Sequence, residues 1–314
     1  MNGEYRPVDV LEEFREQVEH IRKRKEELNA VILAHFYQRP EIQEIADYVG
    51  DSLQLAVQAA QTTADVIVFC GVQFMAESAK ILNPNRTVIL PEPQAGCPMA
   101  DMATAEALRQ KKREIPGVQV VCYVNSSAEV KAESDICCTS SNAVKVVNSL
   151  PPDVPILFVP DKNLGDYVAK QTKRQIILWE GYCPVHHQVS LAELMEAKRQ
   201  HPEAAVLVHP ECRPEVVAAS DYALSTAGIL EMAGRLPARE FIIGTEEGLL
   251  YQLRKRYPDR QFYLVRSEFV CSNMKLTTVD KLLRALDRLE PQVNVPEDIR
   301  DRAYRALERM IQLR

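Results

Sequence analysis

AHFYQ at residues 34–38, CYVNS at 122–126 and VHPEC at 208–212 are three versions of one feature. Each closes a short apolar run: Val31 to Ala34, Val118 to Val124 and Ala205 to Val208. Each then sets two polar side chains two residues apart: His35 and Tyr37, Tyr123 and Asn125, His209 and Glu211. Residues i and i+2 of an extended segment share a face, so each pair can point into one cavity.

Other apolar runs lie at Val66–Phe69, Val88–Leu90, Ile156–Val159, Ile176–Trp179, Phe241–Ile243 and Phe262–Val265. Runs this apolar predict strands buried on both faces, and their alternation with helical stretches predicts parallel sheets covered by helices, an α/β fold. Two amphipathic helices flank this region. Residues 8–29 carry Leu11, Phe14, Val18, Ile21 and Leu28 on one face, and Pro296 to Arg314 carry Ile299, Ala303, Leu307, Met310 and Ile311.

Two further motifs recur. ADVIVFCGVQFMAESAKIL from 64, SDICCTSSNAVKVVNSL from 134 and SDYALSTAGILEMAG from 220 read as one strand-to-helix unit. RTVILPEPQAGC, RQIILWEGYC and RQFYLVRSEFVC each run from a strand to a cysteine: Cys97, Cys183 and Cys271. The chain therefore reads as three related α/β units, 1–100, 101–190 and 191–280, with 281–314 packing back on the body. In this reading the first unit stands apart. Its Val31-to-Asp65 interval is twice the matching one elsewhere, and it lacks a counterpart of PILFVPDKNLGDYV (155–168) and FIIGTEEGLLYQL (241–253).

The chain has 314 residues, 46% hydrophobic and 26% charged, so length alone suggests two domains where the repeats suggest three. The net charge of −6 argues against a nucleic-acid partner but not against a small anionic substrate. No apolar run reaches the ~20 residues of a membrane span, and the N-terminal stretch has no signal-peptide character, so a cytoplasmic location is expected. The eight cysteines are then not expected in structural disulfides, and no CxxC pair suggests a zinc ribbon.

A lone cysteine is more often a small buried hydrophobe than a ligand, and Cys70, Cys122, Cys137 and Cys138, inside or beside strands, fit that use. Cys97, Cys183 and Cys271 share one place in three repeats. If the three sheet edges face one centre, these thiolates suit a soft metal site, and three ligands leave one iron of a four-iron cluster open as a Lewis acid. His186, three residues past Cys183, can reach the same centre, whereas His20, His187 and His201 have no such context. Ser52, Ser140, Ser141, Ser225 and Thr226 precede helical patterns, where free N–H groups favour phosphate or carboxylate, although plain N-capping is the commoner use. The place of Cys212, next to Glu211, stays open.

At these motifs the chain resembles quinolinate synthase, the NadA family. The likeness runs from about Val31 to about Leu283 through AHFYQRPEIQEIADYVGDSLQLA, PEPQAGCPMAD, CYVNSSAEVKAESDICCTSSNA, PDKNLG, WEGYCPVHH, VHPEC, STAG and CSNMKLTT. The resemblance implies three α/β domains with pseudo-threefold symmetry around a [4Fe–4S] cluster on Cys97, Cys183 and Cys271. It implies condensation of iminoaspartate with dihydroxyacetone phosphate to quinolinate, phosphate and two waters, for NAD biosynthesis. The family's AH-x-Y, Y-x-N and H-P-E residues match His35 and Tyr37, Tyr123 and Asn125, and His209 and Glu211. Its substrate-holding hydroxyls match Ser52, Ser140, Ser225 and Thr226, and its histidine after the second cysteine matches His186. Some members carry a redox-sensitive CxxCxxC around the last cysteine. Here Ser272, Asn273 and Met274 follow Cys271, so no such thiol switch is expected.

The expected chemistry assigns Glu211 as proton carrier, assisted by His35, His209 or Tyr37, with Tyr123 and Asn125 keeping the intermediate in register. The enzyme that supplies iminoaspartate is an expected partner. Two other readings stand beside this one. A diphthamide-synthase-like iron–sulfur enzyme would need a protein partner and S-adenosylmethionine, and an iron–sulfur sensor would not need Glu211 or the His and Tyr pairs.

Overall fold

The computed structural model describes residues 10–313. Among them lie three four-stranded parallel sheets. The first comprises β1 (Ala30–His35), β2 (Tyr48–Gly50), β3 (Val66–Cys70) and β4 (Thr87–Ile89). The second comprises β5 (Gln119–Tyr123), β6 (Ile136–Cys138), β7 (Ile156–Val159) and β8 (Ile176–Leu178). The third comprises β9 (Ala205–Val208), β10 (Tyr222–Ala223), β11 (Glu240–Gly244) and β12 (Gln261–Leu264). Their orders are β2-β1-β3-β4, β6-β5-β7-β8 and β10-β9-β11-β12, one topology three times. The expected α/β class with parallel sheets flanked by helices is the observed one. β3 and β7 are buried along their whole length, as their unbroken apolar runs require.

In each sheet the chain winds outward in both directions from the two central strands. The crevice beyond their carboxyl ends, where the winding reverses, is where such sheets bind ligands. The strand ends singled out by sequence, His35, Tyr123 and the residue after Val208, lie there in all three sheets.

The repeat is more regular than the sequence reading held. The counterpart of SDICC and SDYAL in the first unit is Ala46-Asp-Tyr-Val-Gly50, which forms β2, not Ala64-Asp-Val-Ile-Val68. An aspartate before the edge strand proves the register. Asp47 Oδ2 accepts from Ile32 N at 2.8 Å, Asp135 Oδ2 from Val120 N at 2.7 Å, and Asp221 Oδ2 from Val206 N at 2.7 Å. Each clasp spans 15 residues, so the apparent irregularity of the first unit disappears. In the corrected register β3, with the helix Gln73–Leu82, is the counterpart of PILFVPDKNLGDYV and FIIGTEEGLLYQL that seemed missing. Apolar content misled the earlier match, because β3 is the most apolar strand in its unit while β2 keeps Tyr48 exposed.

The terminal helices close the body. The expected 8–29 helix starts as a 3-10 turn at Glu12–Phe14 and continues as Arg15–Glu27, burying Val18 and Ile21 and packing on the helix Val279–Arg288 through Ile21; residues 8 and 9 lie outside the described residues. The last helix, Glu297–Gln312, buries Ala303, Ala306, Leu307 and Met310. It packs on the helix Gln73–Leu82 of the first unit and on Ala128–Ala132 and β6 of the second, tying the two together. Arg314 lies outside the described residues. Among the described residues no helix is long and apolar enough to cross a membrane.

Candidate active site

One cavity of about 300 Å³ collects all three strand-end pairs: His35 and Tyr37, Tyr123 and Asn125, His209 and Glu211. Cys97, Cys183, Cys271 and His186 also line it, as do Ser52, Ser140 and Thr226. The corrected repeat explains the hydroxyls. Ser52, Ser140 and Thr226 each stand five residues past the clasp aspartates Asp47, Asp135 and Asp221. Ser225 stands one residue earlier and does not line the cavity. Its Oγ caps the following helix by accepting from Gly228 N at 3.1 Å. Asp51 and Thr139, at the same step in their units, also accept from nearby backbone N–H groups. Asp51 and Thr139 nevertheless line the cavity as well, so only in the third unit does the capping residue, Ser225, stand apart from it.

The cysteines divide in the same way. Cys70, Cys122, Cys137, Cys138 and Cys212 are buried, whereas Cys97, Cys183 and Cys271 are partly exposed, all to this cavity. Cys212 packs away from it, with its Sγ 3.6 Å from Gly244 O. Each of the three cavity cysteines precedes a short helical turn, at Ala100–Met102, Pro184–His187 and Met274–Leu276. Backbone amides of Met99 and Ala100 face the Cys97 sulfur, that of His186 faces Cys183, and those of Asn273 and Met274 face Cys271. Burial pushes the Cys97 thiol up to about 12 and also raises Cys183 and Cys271, so the free sulfurs stay protonated. Three thiols on one cavity, each with amides aimed at its sulfur, form a donor set that fits an iron–sulfur cluster.

A hydrogen-bonded chain runs from beside Cys183 to Tyr37. Glu211 Oε2 lies 2.8 Å from His186 Nδ1, which is also 3.3 Å from Cys183 Sγ. His186 Nε2 lies 3.0 Å from Thr245 Oγ1, which lies 2.6 Å from the Tyr37 hydroxyl. That hydroxyl reaches Thr226 Oγ1 at 3.1 Å. The donor atoms of Cys183, His186 and Glu211 lie within 4.8 Å of one another. Thr245 was not foreseen, because it lies at the end of β11 and nothing near it in sequence marks a partner.

His35 and His209 are held alike. Nδ1 of His35 accepts from Tyr37 N at 3.1 Å, and Nδ1 of His209 accepts from Glu211 N at 3.3 Å. A neutral ring that accepts at Nδ1 carries its proton on Nε2. In His209 that atom lies 3.1 Å from Ser140 Oγ. Burial lowers His35 to about 3, with His209 adding to the effect, and burial lowers His209 to about 4. Burial opposes ionisation of Glu211, but His209, His186 and the hydrogen bonds outweigh it and hold the carboxyl at about 2. Burial raises Tyr37 and Tyr123 well above the usual phenol range, and the Glu211 charge adds to it. At neutral pH Glu211 is therefore ionised, with His35, His209, Tyr37 and Tyr123 neutral around it. Glu211 Oε1 and Asn125 Oδ1 are buried without a hydrogen-bond partner, two acceptors free toward a ligand. Arg213, two residues after Glu211, donates to His187 O at 2.7 Å. Of the remaining histidines, His20 sits beside Asp287, His201 stacks on Tyr263 and His187 bonds Asn163, all outside the cavity.

Three copies of one parallel α/β sheet, sharing a cavity lined with thiols, imidazoles and a single buried glutamate, define an enzyme for small molecules. The sequence profile of the family described as "Quinolinate synthetase A protein" matches residues 19–312. A quinolinate synthase from Desulforudis audaxviator is 54% identical over 306 residues, covering 98% of this chain and 100% of that protein. One from Geobacter metallireducens is 57% identical over 293 residues, 93% of this chain and 96% of that protein. A protein named quinolinate synthase 2, from Methanosarcina acetivorans, is 55% identical over 302 residues, 96% of this chain and 97% of that protein. The chain belongs to the quinolinate synthase family.

Proposed function

We propose that this enzyme condenses iminoaspartate with dihydroxyacetone phosphate, giving quinolinate, phosphate and two waters for NAD biosynthesis in the cytoplasm. The observation that carries the reading is convergence. Three cysteines and three strand-end pairs, spread from His35 to Cys271, line one cavity. Cys97, Cys183 and Cys271 would hold a [4Fe–4S] cluster, which when bound supplies Lewis acidity toward an anionic substrate.

Toward the anionic groups of that substrate, helix starts stand in place of cationic side chains. No Lys or Arg is among the residues that line the cavity. Ser52, Ser140 and Thr226 sit at or beside helix starts, where N–H groups and the helix dipole favour carboxylate and phosphate. Glu211, ionised at neutral pH, takes up protons, and the chain through His186 and Thr245 connects it to the Tyr37 hydroxyl. His209, with its proton on Nε2, donates toward the cavity rather than accepting from it. Asn125 and Tyr123 hold the intermediate from the second sheet. Burial keeps bulk water away from these proton transfers.

The test is anaerobic reconstitution with iron and sulfide, a count of both per chain, and then assay of quinolinate from the two substrates. Four irons per chain with quinolinate formed supports the reading. A loaded chain that forms no quinolinate overturns it.

A further inference from the structure

Asp161 and Glu246 are fully buried, and each stands two residues past the end of an inner strand, after Val159 of β7 and Gly244 of β11. The strand registers make them counterparts, since Val159 pairs with Cys122 and Gly244 with Val208, the residues just before Tyr123 and His209. Each carboxylate accepts from two backbone N–H groups. Asp161 Oδ1 accepts from Leu164 N at 2.7 Å, capping the helix Lys162–Thr172, and Oδ2 accepts from Cys183 N at 3.0 Å. Glu246 Oε2 accepts from Gly248 N at 2.7 Å, and Oε1 accepts from Cys271 N at 3.1 Å.

The surrounding packing fixes both carboxylates further. Lys275 Nζ lies 2.9 Å from Glu246 Oε1 and donates to Tyr37 O at 2.7 Å, joining the Cys271 loop to the Tyr37 turn. A Cβ at Gly181 would lie 2.4 Å from Pro160 O, so only glycine lets the Cys183 loop rest on the strand end that carries Asp161. In the first unit the matching residue is Val72, whose side chain offers no acceptor to the Cys97 loop.

We infer that Asp161 and Glu246 are positioning residues that hold Cys183 and Cys271 in the pose that ligates the cluster, and that the Cys97 arm has no such clasp. A helix cap accounts for one oxygen of Asp161 and a local turn for one oxygen of Glu246. The second oxygen of each is aimed instead at the backbone of a cavity cysteine. This inference rests on the assignment of Cys97, Cys183 and Cys271 as cluster ligands.

The test compares reconstituted holoprotein of wild type with Asp161→Ser, Glu246→Gln and Thr278→Ala. Serine keeps the helix cap at 161 but has one oxygen where aspartate has two. Glutamine keeps one acceptor oxygen and loses the other. Thr278 caps the helix Val279–Arg288 and lies outside the cavity, so its variant reports the loss of a cap alone. Iron release to a strong chelator is followed under anaerobic conditions, with melting temperatures of the metal-free proteins and the low-temperature EPR spectrum of the reduced cluster. Asp161→Ser and Glu246→Gln are expected to release iron about five- to tenfold faster and to change the EPR spectrum, the loss expected for one hydrogen bond. Thr278→Ala is expected to melt lower with release and spectrum unchanged. If Glu246→Gln does not fold, Asp161→Ser decides. Wild-type release and spectrum in Asp161→Ser, or equal acceleration by Thr278→Ala, overturns the inference and leaves the proposed reaction standing. A wild-type chain that takes up no iron and sulfide overturns both.

Discussion

Glu211 Oε2 and His186 Nδ1 stand 2.8 Å apart, both almost wholly buried, although one side chain comes from the end of β9 and the other from the turn after Cys183. The pair joins the thiol side of the cavity to its acid–base side. His186 serves as the hinge of that link, since the same nitrogen lies near Cys183 Sγ.

Replacing Glu211 with glutamine preserves shape but removes the ionised oxygen that faces His186. A positioned general base contributes about 10²–10⁴-fold in rate. Turnover of Glu211→Gln is expected to fall by that order, with iron content and melting temperature near wild type. Near-normal turnover would remove Glu211 from the chemistry.

Cys97→Ala, Cys183→Ala and Cys271→Ala are each expected to lose the brown absorbance and the activity while keeping the fold. Cys70→Ala and Cys138→Ala, which remove thiols buried away from the cavity, are expected to keep the iron. Iron and sulfide counts on anaerobic samples check this. Four irons retained in Cys183→Ala would refute the ligand set.

Acid is expected to destabilise the metal-free protein. His35 and His209 are lowered to about 3 and about 4 in the folded chain, against an ordinary 6.5. Between those values the unfolded chain takes up protons that the folded chain refuses. Stability is therefore full above about pH 6.5 and is lost as pH falls toward the folded values, by up to about 1.4 kcal/mol per pH unit for each histidine. Urea midpoints between about pH 7 and pH 5 measure the slope. His209→Gln is expected to flatten it, and an unchanged slope would rule His209 out as a source.

The three aspartate clasps predict a matched set of losses. Asp47→Ala, Asp135→Ala and Asp221→Ala each leave a strand N–H without its side-chain acceptor, at a cost of about 1–3 kcal/mol. Urea unfolding of the three variants checks the size. A variant that unfolds like wild type would show that its clasp is not needed for the edge strand.

The sequence made the strands legible where burial is two-sided, because unbroken apolar runs have no other common use in an α/β chain. It concealed β2, whose three residues include exposed Tyr48 and a glycine, and the match drifted to the more apolar β3. The cavity residues were legible because repetition placed them at the same strand ends. Thr245, Asp161 and Glu246 were not, since their roles depend on partners far off in sequence and their own surroundings read as ordinary helix starts. A signal was present for the last two: an acid two residues past an inner strand, in two units of three.

Three identical strand ends would have lined the cavity with the same two groups three times. The repeated strand end offers His35, Tyr123 and His209 at its first position and Tyr37, Asn125 and Glu211 at its second. No two strand ends present the same pair. Divergence among the copies therefore gives one cavity an imidazole–phenol pair, a phenol–amide pair and an imidazole–carboxylate pair.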